Sequence, residues 1–178
     1  MKYINYQLYI VIQLLICFIG KIYSSEIIIK NKDKIMQNIN IIINNQQQGN
    51  ELNLIFDEDY YKIGANATNS FHVEKGLIFY SENGTTFDFS HSHLTSLAFY
   101  IDNSYSKVKF YNITFDDYYS EPFGYLITFF ISNKNNNFEI EFNNCKFTNI
   151  LGMIGNFRYE SIKATQSTPQ VIFNNCSF

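Results

Sequence analysis

At 178 residues the chain has the length of one domain, enough to bury a real core. Aromatic residues make up 18% of it, with 18 Phe, 14 Tyr and no Trp, and charged residues only 16%, a balance that suits a β-rich surface better than a helical one. A net charge of -3 and a single arginine, Arg158, give no electrostatic basis for binding nucleic acid and disfavour sites that clamp phosphate or carboxylate groups with arginine forks.

The chain opens with Met1-Lys2, an apolar run from Leu8 to Gly20, and small residues at Ser24 and Ser25. A basic start, a short apolar stretch and small residues beyond it read as a cleaved signal peptide over residues 1–25. The rival reading is an uncleaved membrane anchor, but the run from Tyr3 to Ile19 only reaches the bottom of the spanning range, and Asn5, Gln7 and Gln13 interrupt it. The expected destination is the secretory pathway, ending outside the cell or at its surface. Secretion makes the four Asn-x-Ser/Thr triplets, at Asn66, Asn83, Asn112 and Asn175, candidate glycan acceptors.

Residues 26–84 read as an N-terminal cap followed by irregular first coils. Asp33 to Ile43 is the only stretch that could be helical, a capping element for the first coil. Asp57-Glu58-Asp59 is an acidic cluster, and Asn66 and Asn83 lie in turn-like stretches, so they are the better acceptors. Residues 85–178 carry the feature that decides the fold, an internal repeat. Three segments align without gaps: Val108-Lys-Phe110-Tyr-Asn112-Ile-Thr-Phe115, Ile140-Glu-Phe142-Asn-Asn144-Cys-Lys-Phe147 and Val171-Ile-Phe173-Asn-Asn175-Cys-Ser-Phe178. A weaker copy, Phe87-Asp-Phe89-Ser-His91-Ser-His-Leu94, aligns Phe89 with Phe110. The anchors are then Phe89, Phe110, Phe142 and Phe173, with a first interval clearly shorter than the two that follow.

The spacing has a mechanical reading. Positions 140 and 142 are two apart and face inward from one strand; positions 145 and 147 face inward from a second. The step of three between 142 and 145 breaks the alternation, so one residue must turn the chain. Asn144 is the natural pivot because Asn tolerates left-handed backbone angles, and Asn112 and Asn175 are its equivalents. Each unit holds a third apolar strand candidate, in Leu97–Ile101, Leu126–Ile131 and Gly152–Phe157, which predicts three strands per turn. The polar inserts, 132–137 and 159–168, belong on outward loops. Stacking the coils about 4.8 Å apart would align Phe110, Phe142 and Phe173, then Phe115, Phe147 and Phe178, with Asn112, Asn144 and Asn175 as a ladder of amides. Buried in such corners, Asn112 and Asn175 should be poor glycan acceptors.

The motif resembles the right-handed parallel β-helix repeats of the pectin-lyase-like superfamily, and more narrowly the Asn-Asn-Cys-x-Phe rungs of large secreted or surface proteins of protists. Phe142 to Phe147 and Phe173 to Phe178 carry the likeness, with Phe110 to Phe115 as a copy lacking Cys. It implies an all-β, right-handed parallel β-helix, preceded by a signal peptide and incomplete at its C-terminus, where the sequence stops inside a rung. That open end would pair with further rungs or another chain. Enzymes of the superfamily cleave acidic polysaccharides; many repeat-bearing relatives have no known reaction.

The chemistry-bearing residues mostly favour structural readings. Cys145 and Cys176 occupy one rung position, one coil apart, where Ile113 stands in the preceding coil; buried stacked thiols are expected over a disulfide, whose torsion would be poor between parallel neighbours. His91 and His93 could pair on a metal but lack a third ligand. Asp116-Asp117 is the one pair resembling glycosidase carboxylates, yet the next coil offers Thr148 and Asn149 beside it rather than a matching acid. Tyr60, Tyr61, Tyr118, Tyr119 and Tyr125 could supply aromatic faces to a sugar. No catalytic residue, metal or cofactor is therefore assigned. The expected function is a secreted or cell-surface, non-catalytic repeat protein with a structural, adhesive or glycan- or protein-binding role. The alternative is a polysaccharide lyase or hydrolase, or its degenerate remnant, acting on acidic glycans. A membrane would be a partner only through an uncleaved N-terminal anchor.

Overall fold

The computed structural model describes residues 24–30, 35–46, 51–63, 68–92, 94–120, 124–132, 137–159 and 170–178. Most of both predicted polar inserts lies outside them, as does the predicted leader up to position 23. Ser24 and Ser25, expected to end that leader, open the first strand, paired with Glu51 and Leu52. Among the described residues, twelve strands and one helix follow in order: β1 (Ser24–Ile29), α1 (Ile35–Gln46), β2 (Glu51–Phe56), β3 (Tyr60–Lys62), β4 (Thr68–Val73), β5 (Gly76–Asp88), β6 (Ser96–Ile101), β7 (Lys107–Tyr119), β8 (Tyr125–Ile131), β9 (Glu139–Asn143), β10 (Lys146–Leu151), β11 (Met153–Tyr159) and β12 (Val171–Asn174). Every strand pairing is parallel and joins residues one coil apart, so the chain is a parallel β-helix of about four turns.

Each full coil has three straight segments, as the motif spacing requires. The first two, on either side of the Asn corner, belong to one eight-stranded sheet, here sheet A, with the path β1-β2-β5-β7-β9-β12 and with β3 and β10 alongside. The third segments form the four-stranded sheet B, in the order β11-β8-β6-β4. Alternation then sorts the side chains: β2 buries Leu52, Leu54 and Phe56 and turns Glu51, Asn53 and Ile55 outward. Helix α1 packs against β4 and buries Ile39 and Ile43 in the core; it overlaps the stretch expected to be helical, of which residues 33–34 lie outside the described residues.

Three columns of phenylalanine run through the core, each ending in an exposed ring, Phe157, Phe173 or Phe178. Phe79, Phe110, Phe142 and Phe173 stack with ring centroids 4.9, 4.9 and 4.8 Å apart. Phe115, Phe147 and Phe178 continue a second column at 5.0 and 5.2 Å. Phe71, Phe99, Phe129 and Phe157 form a third along sheet B at 5.1, 5.3 and 5.2 Å. Edge-on contacts tie the columns together, Phe99 on Phe110 at 5.7 Å and Phe110 on Phe115 at 5.5 Å. Such offset and edge-to-face pairs add about 0.5–1.5 kcal/mol each beyond area burial, so a one-residue slip of register would forfeit many pairs at once.

The predicted corners are present: Asn112, Asn144 and Asn175 have φ of 57, 53 and 52°. The amide of Asn175 donates to Asn144 Oδ1 at 2.6 Å, one step of the expected ladder, and that of Asn112 donates to the Ser81 carbonyl at 2.8 Å. These corners are not buried, however. Asn144 and Asn175 are exposed and Asn112 half-buried, because the left-handed turn swings the side chain to the rim while Cys145 and Phe147 turn back inward. A second corner, not read from the sequence, closes the other end of the second segment at Asp117 and Asn149 (φ 55 and 53°), with Ser90 and His91 (52 and 54°) one coil earlier.

The weak fourth copy is out of register. Phe79, not Phe89, pairs with Phe110, and Phe87 pairs with Phe115. In this coil Ser81 to Gly84 fills the corner that Asn112 alone fills in the next, so a gapless alignment slides past it onto the wrong Phe. With anchors at Phe79, Phe110, Phe142 and Phe173 the intervals become nearly equal, and the repeat is even rather than irregular.

Candidate functional site

The outward residues of sheet A line up in two columns. One runs Glu26, Asn53, Ile78, Lys109, Glu141, Ile172; the other runs Ile28, Ile55, Tyr80, Tyr111, Asn143, Asn174. Between them lies a cleft of about 380 Å³, lined by Glu26, Asn53, Ile55, Ile78, Tyr80 and Tyr111. Its size is that of a small-ligand site, and its lining mixes Ile55 and Ile78 with Glu26, Asn53 and the two tyrosines. Tyr80 and Tyr111 meet at 61° with centroids 6.5 Å apart, so they do not cover each other's faces.

Tyr111 is held from the next coil. Its hydroxyl donates to Glu141 Oε2 at 3.0 Å, and Lys109 Nζ bridges Glu139 at 2.7 Å and Glu141 at 2.9 Å. Burial alone would lower the Lys109 ammonium, but its hydrogen bonds to Glu139 and Glu141 outweigh that and hold it above the ordinary lysine value. Burial likewise pulls Glu141 upward, and the bonds from Lys109 and Tyr111 reverse it, leaving the carboxyl below its ordinary value. A carboxylate kept ionised and tied to one lysine is unsuited to giving up a proton as a general acid. Glu141 therefore braces Tyr111, and Lys109, held also by Glu139, fixes Glu141 in place.

The acidic residues singled out in the sequence are also engaged. Asp116 Oδ1 accepts from Thr148 Oγ1 at 2.6 Å and from Asn149 Nδ2 at 2.9 Å, the very pair expected beside it. Asp117 Oδ1 lies 3.0 Å from His91 Nδ1, and the His91 ring stacks on Tyr119 at 4.9 Å. Asp88, one coil before Asp116, accepts from the Tyr60 hydroxyl, and that bond pushes the phenol up to about 12. The Asp57–Asp59 cluster makes the bend between β2 and β3, where Asp57 meets Lys30 at 3.7 Å and the Glu58 and Asp59 carbonyls accept from Thr85 and Thr86. His93 and Asn66 lie outside the described residues, and no group of three metal-ligating side chains occurs among the described ones.

Two of the tyrosines proposed as sugar platforms belong to the core instead. Tyr61 is fully buried with its hydroxyl on the Ile29 carbonyl at 2.6 Å, and Tyr118 is 1% exposed. Conversely, the sequence reading missed an outward ring stack on sheet B. His72, Tyr100 and Phe130 stack in register at 4.9 and 4.6 Å, and the Arg158 guanidinium sits 5.2 Å above Phe130. Their nearly equal spacing in sequence, at matching outward positions, was the available signal. The rings occupy one another's faces, so a sugar could lie flat on none between them. This stack is architecture.

The cysteines sit as expected, one coil apart and unbonded. Each thiol donates to the carbonyl one coil back, Cys145 to Phe110 at 3.4 Å and Cys176 to Phe142 at 3.3 Å. Burial pushes the Cys145 thiol up to about 12.

Comparisons of the chain with protein-family models, with curated proteins and with solved structures find no match.

Proposed function

We propose that this chain is a secreted or cell-surface β-helix repeat protein of the pectin-lyase-like kind found in protists, and that it is non-catalytic and binds an extracellular glycan or protein through the outer face of sheet A. The observation that carries this reading is the cleft lined by Tyr80 and Tyr111, where isoleucine side chains stand beside polar ones. Glycan recognition suits such a surface because sugar C–H groups pack on aromatic rings while hydroxyls bond to the rim. The charges beside it (Glu26, Glu139 and Glu141 against Lys109) are net negative, which favours a neutral ligand over an acidic one. Support for a non-catalytic role comes from Asp88, Asp116, Asp117 and Glu141, each engaged by neighbouring side chains. Entry to the secretory pathway rests on the leader of residues 1–25; no helix among the described residues is long and apolar enough to cross a membrane.

Glycan-array binding of the purified chain, beside a Tyr80→Ala/Tyr111→Ala variant, tests the site. Retention on a set of neutral glycans that falls at least tenfold in the variant, with the β-sheet circular dichroism unchanged, is the expected result. Turnover of polygalacturonate that disappears in Asp116→Ala would overturn the non-catalytic reading.

A further inference from the structure

Of the four candidate acceptor triplets, three carry an asparagine among the described residues, and the fold treats these three differently. Asn112 and Asn175 are corner residues whose amide nitrogens already donate, to Ser81 O at 2.8 Å and to Asn144 Oδ1 at 2.6 Å. A glycan on either nitrogen would replace one amide hydrogen and crowd the bond that ties the corner to the preceding coil. Asn83 stands elsewhere. It lies in the four-residue corner Ser81–Gly84 that replaces the single Asn of the next coil, and its side chain is exposed.

That longer corner is firmly based. Asn112 bonds to the Ser81 carbonyl at one end; at the other, Thr85 Oγ1 donates to Glu58 O at 2.7 Å and Thr86 N to Asp59 O at 2.9 Å. Gly84, at φ 89°, supplies the backbone turn that returns the chain to the sheet. The insertion lifts Asn83 off the ladder and out to the rim while both flanks stay in register. An acceptor there can carry a large polar group without disturbing a coil interface.

We infer that Asn83 is an N-glycosylation site of the β-helix, the one among the described acceptors, and that the extended corner serves to present it. In the step, an oligosaccharide passes from a lipid diphosphate donor to Asn83 Nδ2. The new bond joins the anomeric carbon to nitrogen, the bond from that carbon to the diphosphate oxygen breaks, and the lipid diphosphate leaves. The displaced amide proton goes to the transferase's base. The inference rests on the secretory reading above, so the experiment separates the two.

The full chain is expressed in a eukaryotic secretory host in two forms, one behind its own leader and one behind a heterologous cleavable leader. Secreted protein is treated with peptide-N-glycosidase and its peptides are mapped by mass spectrometry. The expected result is a glycan at Asn83 that converts to Asp on release, is lost in Asn83→Gln, and persists in Asn112→Gln and Asn175→Gln. Protein secreted behind the heterologous leader with Asn83 unmodified, or with Asn112 or Asn175 occupied instead, overturns the site. Failure of the native leader alone, with Asn83 occupied in the other form, overturns the secretory reading and supports the site.

Discussion

Replacing Phe110 by Ala would open a hole at the crossing point of the aromatic columns. Its ring is fully buried, stacks on Phe79 and Phe142 at 4.9 Å each, and meets Phe99 and Phe115 edge-on. Coils above and below are tied by parallel ladders on both sides, so the site cannot collapse to refill the volume. The loss should fall in the range for buried phenylalanine truncations, about 3–5 kcal/mol. Phe173 is the internal control. It belongs to the same column but is 43% exposed and stacks on Phe142 alone among the column's rings. Its truncation leaves a groove that water fills rather than a closed cavity, and its partial transfer term is about 1–1.5 kcal/mol. Urea unfolding of the two variants beside the parent, followed by circular dichroism, reads the difference. In thermal unfolding the Phe110→Ala shift should be roughly 8–15 °C. Equal losses at the two positions, or less than about 1 kcal/mol at Phe110, would refute the account of the column as the main stabilising element.

The corner argument gives a sharper sign. Asn144→Gly keeps the left-handed backbone and loses only the bond with Asn175, whereas Asn144→Val forces a β-branched residue to φ 53°; calorimetry should show Val worse by about 1–3 kcal/mol. The Lys109 clamp sets a pH dependence. Glu141, held below its ordinary value, contributes stability that is full above about pH 4.3 and is lost as pH falls through its folded-state value. Lys109, held above its ordinary value, contributes stability that is full below about pH 10.4 and is lost as pH rises through its folded-state value. Lys109→Met should cost about 2 kcal/mol at pH 7 and reverse the acid limb, gaining stability as Glu141 protonates; urea midpoints from pH 7 to 3.5 check it. For the thiols, iodoacetamide followed by peptide mass mapping should label half-exposed Cys176 before buried Cys145, with equal rates counting against the stacked-thiol geometry.

How much of this was legible beforehand follows from range. The three gapless motifs showed the parallel β-helix, its Asn corners and its first two phenylalanine columns, because inward alternation and a one-residue break are local properties of a strand and its turn. Thr148 and Asn149 beside Asp116 were readable for the same reason, since register in a solenoid copies one coil onto the next. The coil of β5 was not readable, because its four-residue corner shifts the count and only pairing across the sheet identifies Phe79 as the partner of Phe110. Tyr61 and Tyr118 look like surface tyrosines in sequence, yet alternation within β3 turns Tyr61 inward, and the left-handed corner at Asp117 breaks the alternation of β7 so that Tyr118 turns inward too. The cleft was invisible to motif reading: Glu26, Asn53, Ile78 and Tyr111 are each ordinary outward residues, every one on a different coil. Which rows face inward was settled by hydrophobic period, a property of the sequence alone. Which outward rows become neighbours depends on how many residues each loop inserts between coils, and only the assembled stack of strands decides that.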